Sequence, residues 1–141
     1  MLAWQPGEGQ RQRGEGGQAL VGFALVVPIL LILILAITDF GWALRSWMTV
    51  SNSAREGARA GAVGSSCEDI QQRVVGASAG LLTASDVSVE NCQGQPGTSV
   101  VVTVTHDYSF VTPLGSLLTV FSGGTLPSTI TMTSSSDTRI E

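Results

Sequence analysis

The chain has 141 residues, with 7 Arg, no Lys and 11 Asp and Glu, for a formal net charge of −4. Only 13% of residues are charged and mean hydropathy is +0.30, against about 25% charged for an ordinary soluble domain, so part of the chain is built for surroundings other than water. The acidic balance excludes a basic footprint for nucleic acid, two cysteines and one histidine leave little material for a metal site, and the length suits one small domain with an appendage.

Residues 1–17 contain five glycines and no apolar period, which predicts a short disordered leader. Residues 18–38 follow with no charge, and residues 19–37 read ALVGFALVVPILLILILAI. About 20 apolar residues at 1.5 Å each cross a ~30 Å hydrocarbon core, so this run predicts one transmembrane helix. Pro28 removes one backbone donor inside it and predicts a mild kink. A cleaved secretory signal is the rival reading, but its apolar region runs about 7–15 residues and needs a small-residue cleavage site. Here the run is longer and continues into Asp39-Phe40-Gly41-Trp42. Asp39, at the end of the span, is expected to be a hydrated interfacial cap.

The helical pattern continues past the span. Phe40, Leu44, Trp47, Ser51, Ala54, Ala58 and Gly61 follow the 4-3 spacing of one helix face, bulky at first and small at the end. The stripe predicts a packing face, with Phe40, Leu44, Trp47, Ala54 and Ala58 as its contacts and its small residues admitting another backbone. Glu56 and Arg59 have the spacing of an i,i+3 pair. Trp42 and Trp47 stand where an interfacial aromatic belt belongs. The whole helix is expected over residues 18–61, half of it beyond the bilayer.

Residues 62–141 carry 2 Arg and 7 acidic residues and are rich in Ser and Thr. The predicted elements are a helix over 68–82, strands over 86–92 and 99–109 joined by the turn Gly94-Gln95-Pro96-Gly97, a short helix over 113–121, and a strand over 125–134. The expected fold class is α+β: a long pilin-like N-terminal transmembrane helix followed by a small antiparallel sheet with one or two short helices on one face. A domain of this size is marginal without a staple. A Cys67–Cys92 disulfide would close about 26 residues and contribute roughly 3 kcal/mol; two free buried thiols are the alternative, decided by redox compartment. The positive-inside count is nearly tied between Arg11 and Arg13 before the span and Arg45 after it. The cysteine pair and the Ser/Thr-rich domain therefore set the expected orientation, with the N-terminus cytoplasmic and residues 62–141 extracytoplasmic.

The glycine followed by QALVGFALVVPILLILILAITDFGWAL, then Asn52-Ser53-Ala54-Arg55-Glu56-Gly57-Ala58-Arg59, resembles the TadE-like family of pseudopilins, pilin-like proteins of bacterial tight-adherence pilus systems. The closing Arg139-Ile140-Glu141 is also similar to the family's chain end. The resemblance implies cleavage by a cytoplasmic-face prepilin peptidase between Gly17 and Gln18. It also implies single-pass residence in the lipid bilayer and packing with other pilin-like subunits and the pilus assembly platform in cell adhesion. Such segments carry a Glu five positions into the mature chain; here that position is Gly22. A buried charge persists in lipid only when paired, and its absence points to a minor subunit.

No catalytic constellation is legible. His106 and Asp107 are neighbours in an expected strand and point to opposite faces; there is no G-x-S-x-G, P-loop or dinucleotide-binding motif. The sequence therefore reads as a structural protein with no enzyme activity, cofactor or metal. A signal-anchored extracytoplasmic binding module that is neither processed nor polymerised is the alternative, and a membrane-anchored enzyme ranks last.

Overall fold

The structure, a computed structural model, describes residues 11–141, with side chains from residue 17 onward. Helix α1 spans Arg11–Ala62, 52 residues or about 78 Å at 1.5 Å per residue. It is followed by α2 (Cys67–Ala77), a short 3-10 turn (Ala84–Asp86), β1 (Val87–Glu90), β2 (Ser99–Ser109), α3 (Leu114–Phe121) and β3 (Thr129–Arg139). The fold is α+β, as its sequence reads: a long apolar N-terminal helix and a small antiparallel sheet with short helices.

Helix α1 begins seven residues before the expected start at Gln18, which corrects the disordered leader for residues 11–17; residues 1–10 of that leader lie outside the described residues. Extending a formed helix requires no new nucleus, so even a glycine-rich stretch can join it at about 1 kcal/mol per Gly.

The sheet has the order β1-β2-β3, both pairs antiparallel, with β2 central. Alternation along β2 sends Val100, Val102, Val104 and Tyr108 into the core and leaves Val101, Thr103 and Thr105 less buried on the other face. The far half of α1 and α2 cover the apolar face. Ile70 and Val74 of α2 are fully buried there with Val50, Ala54 and Ala58 of α1. The chain end closes the layer: the Glu141 amide donates to the Ala62 carbonyl at 3.2 Å, and Ile140 is buried.

Several element ends differ from expectation. α2 stops at Ala77 rather than at residue 82 because Ala79 (φ 52°) and Gly80 (φ 86°) turn left-handed and the Ser78 hydroxyl accepts from the Leu82 amide. Leu82 still reaches the core. β1 ends at Glu90, since Asn91 and Gln93 both take positive φ. β3 lies over Thr129–Arg139 instead of 125–134. Pro127 has no N–H to give the ladder, so pairing starts after it. The register then carries the polar residues Ser134, Ser135, Ser136 and Asp137 along β2 as far as Ser99↔Arg139. Glu56 pairs across to Arg73 of α2 at 3.8 Å rather than with Arg59. Both side chains are exposed, so the pair contributes little.

Candidate functional site

The buried face of α1 is Asp39, Ser46, Val50, Ser53, Gly57 and Gly61, flanked by Ala54 and Ala58. It lies one residue, or about 100°, from the bulky half of the predicted stripe. Phe40 (70% exposed), Leu44 and Trp47 face outward, whereas Ala54 and Ala58 are buried against the chain's own sheet and α2. The predicted packing set is thus divided. Its two alanines hold the domain to the helix and are not available to another subunit; its three bulky residues are. Toward the end of α1 the limit is steric. The neighbouring layer comes so close that a Cβ on Gly57 would stand 3.1 Å from a Val102 methyl, and one on Gly61 2.8 Å from a Val100 methyl. At those two positions only glycine fits without a shift, while further down the same face Val50 is fully buried.

Before Asp39, α1 leaves the domain. The run from residue 17 to 38 contacts nothing else closely enough to be buried, and α1 is long and apolar enough to cross a membrane. Gly17 and Gln18 are exposed at its near end, and both Gly17 and Gly22 face open space. The Gly17–Gln18 bond lies inside the helix, so a protease reaches it only after local unwinding, which glycine makes inexpensive.

The junction between the exposed run and the domain is built around Asp39. Its carboxylate is 3% exposed, which corrects the expected hydrated cap. Oδ1 accepts the amides of Val111 (2.9 Å) and Thr112 (3.0 Å), and Oδ2 accepts the Thr112 hydroxyl. The Thr112 Oγ1 in turn accepts the Leu114 amide at the start of α3. The Tyr108 hydroxyl donates to the Asp39 carbonyl at 3.1 Å. Burial, and then the negative charge of Asp39, push the Tyr108 phenol above its ordinary pKa. A carboxylate satisfied by several donors is a structural clamp rather than a free acid. Sequence reasoning missed it because its partners lie some 70 residues away.

Just beyond the clamp, the Arg45 guanidinium sits 5.3 Å over the Trp42 ring, an interface-type pair. On the far side of the domain, Cys67 at the start of α2 and Cys92 after β1 stand at disulfide distance, with Cα atoms 5.4 Å apart, and are joined in the structure. The half-buried His106 pairs in register with Met132, while Asp107 on the opposite face accepts the Thr131 hydroxyl at 2.6 Å. The two do not converge.

The described residues present an exposed apolar rod, a junction closed around Asp39, and a stapled domain. No curated protein and no solved structure matches the chain. Residues 17–59, which contain the exposed run, the Asp39 junction and most of the domain-packed helix, match the family model described as TadE-like protein, the family that the same residues resemble in sequence.

Proposed function

We propose that this chain is a minor pilin-like subunit, a pseudopilin, of a bacterial tight-adherence pilus or related secretion machine. It is anchored in the cell membrane by residues 18–38, with its N-terminus cytoplasmic and residues 62–141 extracytoplasmic. The observation that carries the reading is one continuous helix with two environments. Its first half is apolar and uncovered, its second half is locked into a domain, and the segment spanning both matches the TadE-like family. Such a helix can rest in lipid and later pack among like helices without exposing polar backbone. An oxidising space suits the Cys67–Cys92 pair and favours the outward placement of the domain.

In this reading a prepilin peptidase cuts between Gly17 and Gln18, and other pilin-like subunits and the assembly platform meet the exposed half of α1. Phe40, Leu44 and Trp47 then belong to the subunit-facing surface. Gly22 offers no anion to a neighbour's N-terminal amine, which supports a minor or initiating place rather than that of the main fibre subunit.

The experiment is intact-mass measurement of the protein from cells with and without an active prepilin peptidase. A chain beginning at Gln18 only when the peptidase is active is the expected result, and Gly17→Asp abolishes the cut. A full-length chain in both strains overturns the processing and favours a plain membrane-anchored binding module. Gly22→Glu at equal membrane levels is expected to raise crosslinking to pilin-like partners. Abundant fibres of the wild-type chain alone would contradict the minor-subunit assignment.

A further inference from the structure

We infer that the β2–β3 connection, centred on α3, is a second membrane contact that lies in the outer interface of the bilayer beside the spanning helix. The inference rests on the membrane placement of residues 18–38 proposed above and adds a surface that nothing in the TadE-like segment contains.

Position carries the first part of the argument. β2 runs back along α1. Gly61 meets Val100, Gly57 meets Val102, and the Tyr108 hydroxyl reaches the Asp39 carbonyl. Each step along β2 toward Ser109 is thus a step down α1 toward the apolar run. The chain leaves β2 at the level of Asp39, one residue after the uncharged segment ends, and Asp39 itself holds the amides of Val111 and Thr112 there. α3 starts two residues later. The clamp fixes the depth of α3 relative to the spanning helix. Trp42 and Arg45, a side-chain pair typical of the headgroup zone, stand one to two turns beyond Asp39.

Chemistry carries the second part. Between Asp107 and Asp137 there is no charged or histidine side chain. Within that stretch Val111 (64%), Val120 (76%) and Phe121 (84%) are exposed, together with Leu117, Leu118 and Leu126. Large apolar side chains gathered at one end of a small domain mark an interaction surface. Because the surface is uncharged and set at membrane depth, the occupant it fits is the acyl-headgroup boundary of the bilayer, entered by apolar burial and without need of anionic lipid. The two contacts, α1 and α3, then fix the tilt and rotation of the domain on the membrane before assembly.

The test uses the full chain in phosphatidylcholine vesicles, with the Cys67–Cys92 bond left oxidised and a spin label placed at Phe121→Cys. Leu30→Cys in the span and Val63→Cys at the far end of α1 serve as references. Collision with oxygen, which concentrates in lipid, is compared with collision with a water-soluble nickel chelate. The expected result is a several-fold preference for oxygen at residues 30 and 121 and the reverse at 63; Val120→Cys repeats the measurement from a neighbouring exposed position. Nickel accessibility at 120 and 121 equal to that at 63, with residue 30 in lipid, overturns the α3 contact while leaving the membrane anchor intact. Shielding of 120 and 121 from both reagents means that protein covers the surface, and it overturns the inference as well. Nickel accessibility at residue 30 would overturn the membrane placement itself.

Discussion

Asp39 and Thr112 lie 73 residues apart in the chain, yet the Thr112 amide stands 3.0 Å from the Asp39 carboxylate and its hydroxyl donates to the same group. This contact fastens one end of the domain to the helix just where the apolar run ends. Asp39→Ala leaves the Val111 and Thr112 amides without their acceptor and is expected to destabilise the domain by about 2–4 kcal/mol. Asp39→Asn keeps one acceptor oxygen and should lose about 1 kcal/mol. Amide hydrogen exchange at Val111 and Thr112 reads the effect directly, accelerating more in the alanine variant than in the asparagine variant.

The close approach of the sheet to α1 gives a contrast between glycines. Gly61→Ala sets a methyl 2.8 Å from Val100, and Gly57→Ala crowds Val74 and Val102. Overpacking of about 1–3 kcal/mol should outweigh the gain of about 1 kcal/mol in helix propensity. Gly41 faces open space, so Gly41→Ala should be neutral or stabilising. Thermal unfolding of the three variants in one detergent should place Gly41→Ala at or above wild type and the other two below it.

Reduction or loss of the Cys67–Cys92 pair should lower the domain's stability by about 2–5 kcal/mol, as for native disulfides of small domains. Cys67→Ser and Cys92→Ser should each lower the unfolding midpoint, and the double variant should match the singles because the same bond is lost. Non-reducing peptide mass spectrometry should recover the two cysteines as one linked pair.

The raised pKa of Tyr108 sets an alkaline limit. Its folded-state pKa lies above the unfolded value of about 10, so the folded protein holds the phenolic proton more tightly than the unfolded chain does. The resulting stabilisation is complete below that pH and is lost as pH rises through the folded pKa. Tyr108→Phe removes the donor to the Asp39 carbonyl and should flatten this decline while lowering stability at neutral pH. Denaturant titrations from pH 8 to about 11, a window set by the ordinary tyrosine value, check both effects.

Periodicity and composition alone determined the apolar span, the continuation of its helix beyond the membrane length, the whole of β2 and, to within one residue, the bounds of α3. Each of these depends on local pattern: a long uncharged run, the 3.6-residue period, or the Val/Thr-rich run of residues 99–109. The cysteine pair was legible as a candidate, because a small domain lacking a large core gains from a staple. Tertiary structure decided the rest. Which face of α1 is buried turned on how near another layer comes. Bulky Phe40, Leu44 and Trp47 resemble a core stripe in sequence, yet they face outward while Val50, Ser53, Ala54, Gly57, Ala58 and Gly61 are buried against the domain, the two glycines where the sheet leaves no room for a Cβ. The polar end of β3 was hidden because its pairing partner, not its own hydrophobicity, makes it a strand. Asp39 was hidden for the same reason: a lone acid after an apolar run looks solvated until the chain returns, some 70 residues later, with the donors that bury it.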